Sequence, residues 1–198
     1  MKTPAAEQIL AYVAPMPEGA PLTAKALLHL GSRAAVDQAL SRLVRQGKLI
    51  RSGRGLYVRP AESRFGIRAP APEKVVSELA KLRGETVASH GAVAANHLGL
   101  TTQIPMRTIY LTSGRTRHLK LGAQDIELQH APSWQLINAG RPSGDVLRAI
   151  VWAGRPQAHA VLARLKERLA PEVRAELVAS RAALPGWLAE TISAELAV

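Results

Sequence analysis

The stretch TAKALLHLGSRAAVDQALSRLVRQGKLIRSGRGLYVR, residues 23–59, decides the predicted fold of the N-terminal third. Thr23 and Ser32 each precede a run with helical periodicity, and a hydroxyl at such a position caps a helix by accepting a bond from a first-turn amide. The spacing predicts helices over 24–30 and 33–46, and a glycine follows each of them. Two helices joined by a tight Gly-Ser turn indicate a helix-turn-helix, whose second helix normally enters the DNA major groove.

The residues that follow predict a β-hairpin. Two β-type runs, 49–51 and 56–59, flank the glycine-rich turn Ser52–Gly55. A short amphipathic helix after Pro4 precedes the helix pair. A helix-turn-helix followed at once by a basic hairpin is the winged arrangement, so we expect a winged helix-turn-helix domain over residues 1–60.

Side chains on this domain are candidates for DNA contacts. The apolar residues of the 33–46 helix form a buried stripe, and the opposite face carries polar and basic residues. Glutamine pairs with adenine and arginine with guanine, so Gln38, Arg42 and Arg45 are expected at base edges. The further candidates, for phosphate contacts or a supporting position, are Arg33, Ala34, Ser41, Arg51, Arg54 and Arg59. The alternative is a protein-interaction module with a solvated charged face.

Composition supports a polyanionic partner. The 198 residues include 26 Lys or Arg and 15 Asp or Glu, a formal net charge of +11, and no cysteine. The first sixty residues alone hold nine basic and three acidic side chains. The lack of cysteine excludes disulfides and cysteine-based metal sites. No apolar run is long enough to span a membrane and the N-terminus does not resemble a signal peptide, so a cytoplasmic, non-membrane protein is expected.

The rest of the chain reads as a linker and a second domain. The proline-rich segment 61–72 is the predicted linker, and 73–198 is predicted to be α+β. Alternating segments over 107–112, 117–121 and 125–130 predict an antiparallel meander. Helical patterns are predicted over 73–82, 91–98, 143–152, 156–169, 171–181 and 186–196, with a short strand over 85–89. The whole is an α+β protein with a helical C-terminal end.

Four segments carry a resemblance to a known family. The motifs Gly47–Arg51 (GKLIR) and Arg54–Tyr57 (RGLY) look like the winged domain of AbiEi-type antitoxins of type IV toxin–antitoxin systems. Ser89–Gln103 (SHGAVAANHLGLTTQ) and the residues Tyr110–Arg115 resemble that family's second domain. The resemblance covers roughly residues 5–135 and is most specific at Ser89–Gln103.

The resemblance implies a transcriptional autorepressor and antitoxin. Such proteins bind inverted repeats of double-stranded DNA in their own promoter through the winged domain. The second domain neutralises a nucleotidyltransferase-like toxin, generally without a stable complex. A monomer or weak dimer is expected, and the alternatives are an interaction module or a general regulator without a toxin partner.

Enzymatic chemistry is not expected. Asp125 and Glu127 share a strand face, as metal-dependent nucleotidyl transfer requires, but no Gly-Ser turn opens a helix upstream of them. A nucleotidyltransferase therefore remains a remote alternative. The histidines form no ligand set, so no metal and no cofactor are predicted, and Ser89 is interpreted as an N-cap. A further basic surface is predicted on the meander, formed by Arg107, Arg115, Arg117 and Lys120.

Overall fold

A computed structural model describes residues 4–64 and 66–196 and shows an α+β protein. The chain forms two compact units. The first comprises Met1–Glu85 and His118–Ile126, and the second comprises Thr86–Arg117 and Glu127–Val198. None of the helices in the described part of the chain has the length and hydrophobicity needed to cross a lipid bilayer.

The first unit opens with three helical segments and a three-stranded sheet. The helices are α1 (Ala5–Val13), a 3₁₀ helix (Ala24–Leu30) and α2 (Arg33–Arg45). Strand β1 (Pro21–Thr23) lies between α1 and the 3₁₀ helix, and β2 (Ile50–Gly53) and β3 (Leu56–Val58) follow α2. β3 pairs antiparallel with both other strands, which gives the order β1-β3-β2. The segment 24–30 is thus helical as predicted, but with 3₁₀ geometry, over a longer run than 3₁₀ helices usually have.

One apolar core holds these elements together. Ile9 of α1, Leu27 of the 3₁₀ helix and Leu40 of α2 are each fully buried, and Tyr57 of β3 packs against the same cluster. The helical caps also form as the sequence indicates. The hydroxyls of Thr23 and Ser32 accept hydrogen bonds from the amides three residues later, at 3.2 and 3.3 Å.

The segment 61–72, predicted as a linker, has regular structure. Strands β4 (Ala61–Ser63) and β5 (Gly66–Arg68) pair antiparallel, and α3 (Pro72–Arg83) begins directly afterwards. All three elements belong to the first unit. Proline and glycine mark where the chain turns, but they do not show whether the residues between them pair as strands.

The predicted meander has a different strand order. Strands β6 (Val87–Ser89), β7 (Thr108–Thr112), β8 (Arg117–Leu121) and β9 (Gln124–His130) form a sheet in the order β6-β7-β9-β8. A meander would place β8 next to β7, so that part of the prediction is wrong. Alternating polarity locates strands along the chain, but the choice of neighbouring strand depends on long-range packing.

Helices form most of the second unit. α4 (Gly91–His97), α6 (Ala158–Lys166) and α7 (Pro171–Ser180) all pack against α5 (Pro142–Ala153), and α8 (Gly186–Leu196) packs on α6 and α7. Their core consists of aliphatic side chains, among them Ile150, Leu162 and Ile192, all fully buried. The helical C-terminal end is therefore present as predicted.

Candidate nucleic-acid interface

Helix α2 presents a polar face because its large apolar residues turn towards the core of the first unit. Val36, Leu40 and Leu43 are buried in the core of the first unit. The predicted contact residues of this helix are all exposed: Arg33, Ala34, Gln38, Ser41, Arg42 and Arg45. The sequence periodicity therefore identified the exposed face correctly.

Two of the three arginines on this face have partners within the helix. Arg33 Nε donates to Asp37 Oδ2 at 2.8 Å, one turn along the helix. Arg45 Nε donates to the carbonyl oxygen of Ser41 at 3.4 Å. Arg42 forms no ion pair or side-chain hydrogen bond within residues 4–64 and 66–196. Its charge is therefore available to a ligand without breaking an existing contact.

The β2–β3 hairpin carries two further exposed arginines. Arg51 lies opposite Tyr57 in the strand register, and the pairing is irregular between Arg51 and Gly53. Gly55 adopts a φ of +65° in the turn, a conformation that favours glycine, and Arg54 precedes it at the tip. Neither arginine has a side-chain partner in the described part of the chain. We call Gln38, Arg42, Arg45, Arg51 and Arg54 the candidate contact residues.

Arg59 is placed differently from the other hairpin arginines. Its side chain is half-buried, and Nη1 donates a hydrogen bond of 2.8 Å to the carbonyl oxygen of Ala14, the C-cap residue of α1. This bond satisfies a helix-end carbonyl that has no partner within the helix. Arg59 thus helps to hold α1 against the sheet, a role that the sequence pattern did not indicate.

The four basic residues predicted on the meander are divided between the units. Lys120 belongs to the first unit, where the Ser52 hydroxyl of β2 donates to its carbonyl oxygen at 3.0 Å. Arg107, Arg115 and Arg117 belong to the second unit. Arg117 Nη1 donates to the carbonyl oxygen of Arg115 at 3.4 Å. The Ser52 bond therefore places Lys120 beside the hairpin of the first unit.

Two lysines that the sequence analysis missed also lie in this unit. Lys25 is the second residue of the 3₁₀ helix, and Lys48 follows the turn after α2. Both side chains are exposed and have no ion pair in the described residues. Their position next to helix ends was the available signal, because backbone phosphates are often contacted from such ends.

The structure also shows where the acidic, histidine and serine residues considered as candidates for enzymatic chemistry lie. Asp125 and Glu127 flank buried Ile126 on β9, so both carboxylates lie on the opposite strand face. Within residues 4–64 and 66–196, no three His, Asp or Glu side chains are close enough to hold a metal ion. The predicted N-cap at Ser89 is wrong. His90 caps α4 instead, and the Ser89 hydroxyl donates to Asp145 Oδ1 at 2.7 Å.

Comparison with known proteins gives a family. The sequence over residues 8–171 matches the model of DUF6088, described as a family of unknown function. The chain belongs to the DUF6088 family. The match runs from α1 into the start of α7 and so includes parts of both compact units. No curated protein sequence gives a significant match.

Proposed function

We propose that this DUF6088 protein is a DNA-binding transcriptional autorepressor and that its first unit is a winged helix-turn-helix domain. The order of helices and strands supports this interpretation. Helix α1 and strand β1 precede the 3₁₀ helix and α2, and the β2–β3 hairpin follows them. Strand β3 of this hairpin also pairs with β1. In this assignment α2 is the recognition helix and the β2–β3 hairpin is the wing.

The observation that carries the proposal is the exposure of the candidate contact residues. Helix α2 and the hairpin expose Gln38 and four arginines in a unit that holds 15 of the 26 Lys and Arg residues and 8 of the 15 acids. Gln38, Arg42 and Arg45 are suited to base edges, and Arg51 and Arg54 to phosphates. Lys120, Lys25 and Lys48 would add phosphate contacts. Arg59 is less suited to DNA contact because it already bonds to Ala14.

Binding to a labelled fragment of the protein's own promoter tests this proposal. Arg42→Ala is expected to weaken specific binding by about 1–3 kcal/mol, and Arg54→Ala to reduce the slope of log affinity against log salt by about one. Arg155→Ala, an exposed arginine of the second unit, is the matched control and is expected to bind like the wild type. Unchanged binding by both test variants would contradict the assignment of α2 and the hairpin.

The second unit is proposed to act as an antitoxin against a nucleotidyltransferase-like toxin. The support is the resemblance of Ser89–Gln103, which forms the end of β6, all of α4 and the loop after it. The residues of this segment pack closely: Ala94 and Ala95 are fully buried beside Ala149 of α5. Asn96 fastens the following loop by donating to the carbonyl oxygens of Thr101 and Gln103, at 3.2 and 3.1 Å.

Co-expression of the full chain with the product of the adjacent reading frame tests this activity. A fragment beginning at residue 73 is unsuitable, because His118–Ile126 packs with the first unit. The variant Arg42→Ala/Arg54→Ala is expected to rescue growth as well as the wild type while losing promoter binding. Failure of the wild type to rescue growth would contradict the antitoxin role and leave a general regulator. Rescue without promoter binding by the wild type would favour an interaction module.

A further inference from the structure

The second unit contains a small cleft with a mixed lining. The cleft measures about 220 Å³. Leu111, Pro132, Val151 and Trp152 form its apolar walls. Trp152 is 42 % exposed, which leaves much of the indole open to a ligand. Drug-sized ligands usually occupy roughly 300–1,000 Å³, so this cleft suits a single ring system.

Gly91 lies at the edge of the cleft, where α4 approaches α5 closely. A Cβ at Gly91 would come within 2.5 Å of the Arg148 carbonyl oxygen and 2.7 Å of Trp152 Cβ. The close approach of the two helices therefore requires glycine at this position and fixes the cleft beside the indole.

Two imidazoles give the cleft a defined donor and acceptor. His90 Nδ1 accepts a hydrogen bond from the Ala92 amide at 3.3 Å, so the proton of the neutral ring lies on Nε2, which is a donor. His130 Nδ1 lies 2.8 Å from the carbonyl oxygen of Gly114, which can only accept. The neutral His130 ring therefore has its proton on Nδ1, and its Nε2 is an acceptor.

Two glutamine amides complete the polar lining. Gln129 follows Leu128 on β9, and Gln135 lies in the 3₁₀ helix Ser133–Leu136. Neither side-chain amide has a hydrogen-bond partner within residues 4–64 and 66–196. Each amide can donate and accept at once, so both can pair with a ligand edge that alternates donors and acceptors.

The charges around the cleft disfavour an anionic ligand. Arg148 lines the cleft, but its Nη2 donates to Asp145 Oδ1 at 2.8 Å, and Nη1 lies 3.3 Å from the carbonyl oxygen of Gln135. Burial lowers the pKa of His90 below its usual value, although the charge of Glu127 opposes the shift, so this ring is neutral near pH 7. A neutral ligand therefore fits better than a phosphate or carboxylate.

We propose that this cleft binds the base of a nucleoside or of an unpaired nucleotide in a single strand. A planar ring would stack on Trp152, and its edge would pair with His90, His130 and the two glutamine amides. Stacking on an aromatic side chain is open to every base, because each base has a planar aromatic face. The proposal does not depend on promoter binding by the first unit.

Nuclear magnetic resonance of the full chain tests this proposal, with the Trp152 indole N–H signal assigned through Trp152→Phe. The probes are adenosine, guanosine, cytidine, uridine, a short single-stranded oligonucleotide and inorganic phosphate. At least one nucleoside or the oligonucleotide is expected to shift the Trp152 signal saturably, and phosphate is not. Binding by the oligonucleotide alone would identify a strand as the source of the base.

The variant Gln129→Leu/Gln135→Leu is expected to weaken this binding about tenfold, since both pairing amides are lost. Gln124→Leu, at the exposed start of the same strand β9, is the matched control and is expected to bind like the wild type. The proposal is overturned if no nucleoside or oligonucleotide shifts the Trp152 signal at about 10 mM. This concentration exceeds a Kd of about 1 mM, which is already weak binding. Equal affinities of the double variant and the wild type, or saturable binding of phosphate at this signal, would also overturn it.

Discussion

The hydroxyl of Ser52 donates a 3.0 Å hydrogen bond to the carbonyl oxygen of Lys120, 68 residues further along the chain. Ser52 is 1 % exposed, so this bond satisfies a buried hydroxyl as well as a carbonyl. It fastens β8 beside the hairpin of the first unit. The exposed side chain of Lys120 is thereby fixed next to the hairpin that carries Arg51 and Arg54.

Ser52→Ala is expected to lower the free energy of unfolding by about 1–3 kcal/mol, because the Lys120 carbonyl loses its partner in a buried place. Chemical denaturation measures the change. Ser77→Ala, an exposed position on α3, is the matched control and is expected to change stability by less than about 0.5 kcal/mol. Equal stabilities of the two variants would show that the bond does not stabilise the fold.

Lys120→Ala is expected to reduce the salt slope of promoter binding by about one, because one phosphate contact is lost. Arg115→Ala removes an equally exposed cation from the second unit and is expected to leave the slope unchanged. Fluorescence anisotropy at several salt concentrations gives both slopes. Equal effects of the two substitutions would show that proximity to the hairpin does not decide which cations contact DNA.

Asp145→Ala is expected to destabilise the protein by about 3–5 kcal/mol, because Arg148 is 2 % exposed and would lose its only ion-pair partner in the described residues. Arg148→Met is expected to cost less, since Asp145 is partly exposed and retains the Ser89 bond. Urea denaturation of both single variants and the double variant measures the coupling. Strictly additive effects would contradict a direct interaction between the two charges.

His90 is expected to make the fold less stable as the pH falls through the ordinary histidine pKa of 6.5. Burial lowers its pKa in the folded chain below the 6.5 of an unperturbed histidine. As the pH falls below 6.5, the unfolded chain takes up a proton that the folded chain does not, so the free energy of unfolding decreases until the folded pKa is passed. His90→Asn keeps a capping side chain and is expected to flatten this dependence. Parallel curves for wild type and variant would contradict the lowered pKa.

The candidate interface could be predicted from local pattern to a large extent. Period 3.6 in α2 identified the exposed positions of Gln38, Arg42 and Arg45 correctly, because burial of one helix face leaves the other in solvent. The partners of Arg59 and Lys120 could not be predicted. Their bonds to Ala14 and Ser52 join residues 45 and 68 positions apart, and no local period encodes such contacts.

The sequence by itself determined the elements of this protein: the capped helix α2, the basic hairpin, and the helical end that follows the strands. These depend on interactions over a few residues, such as the cap at Ser32 and the spacing of apolar side chains. Only the tertiary structure decided the strand order β6-β7-β9-β8, the place of Lys120 beside the hairpin, and the partners of Ser89 and Arg148. Those contacts depend on which parts of the chain, far apart in sequence, pack together. That packing is decided by the free energy of the whole fold and not by any local pattern.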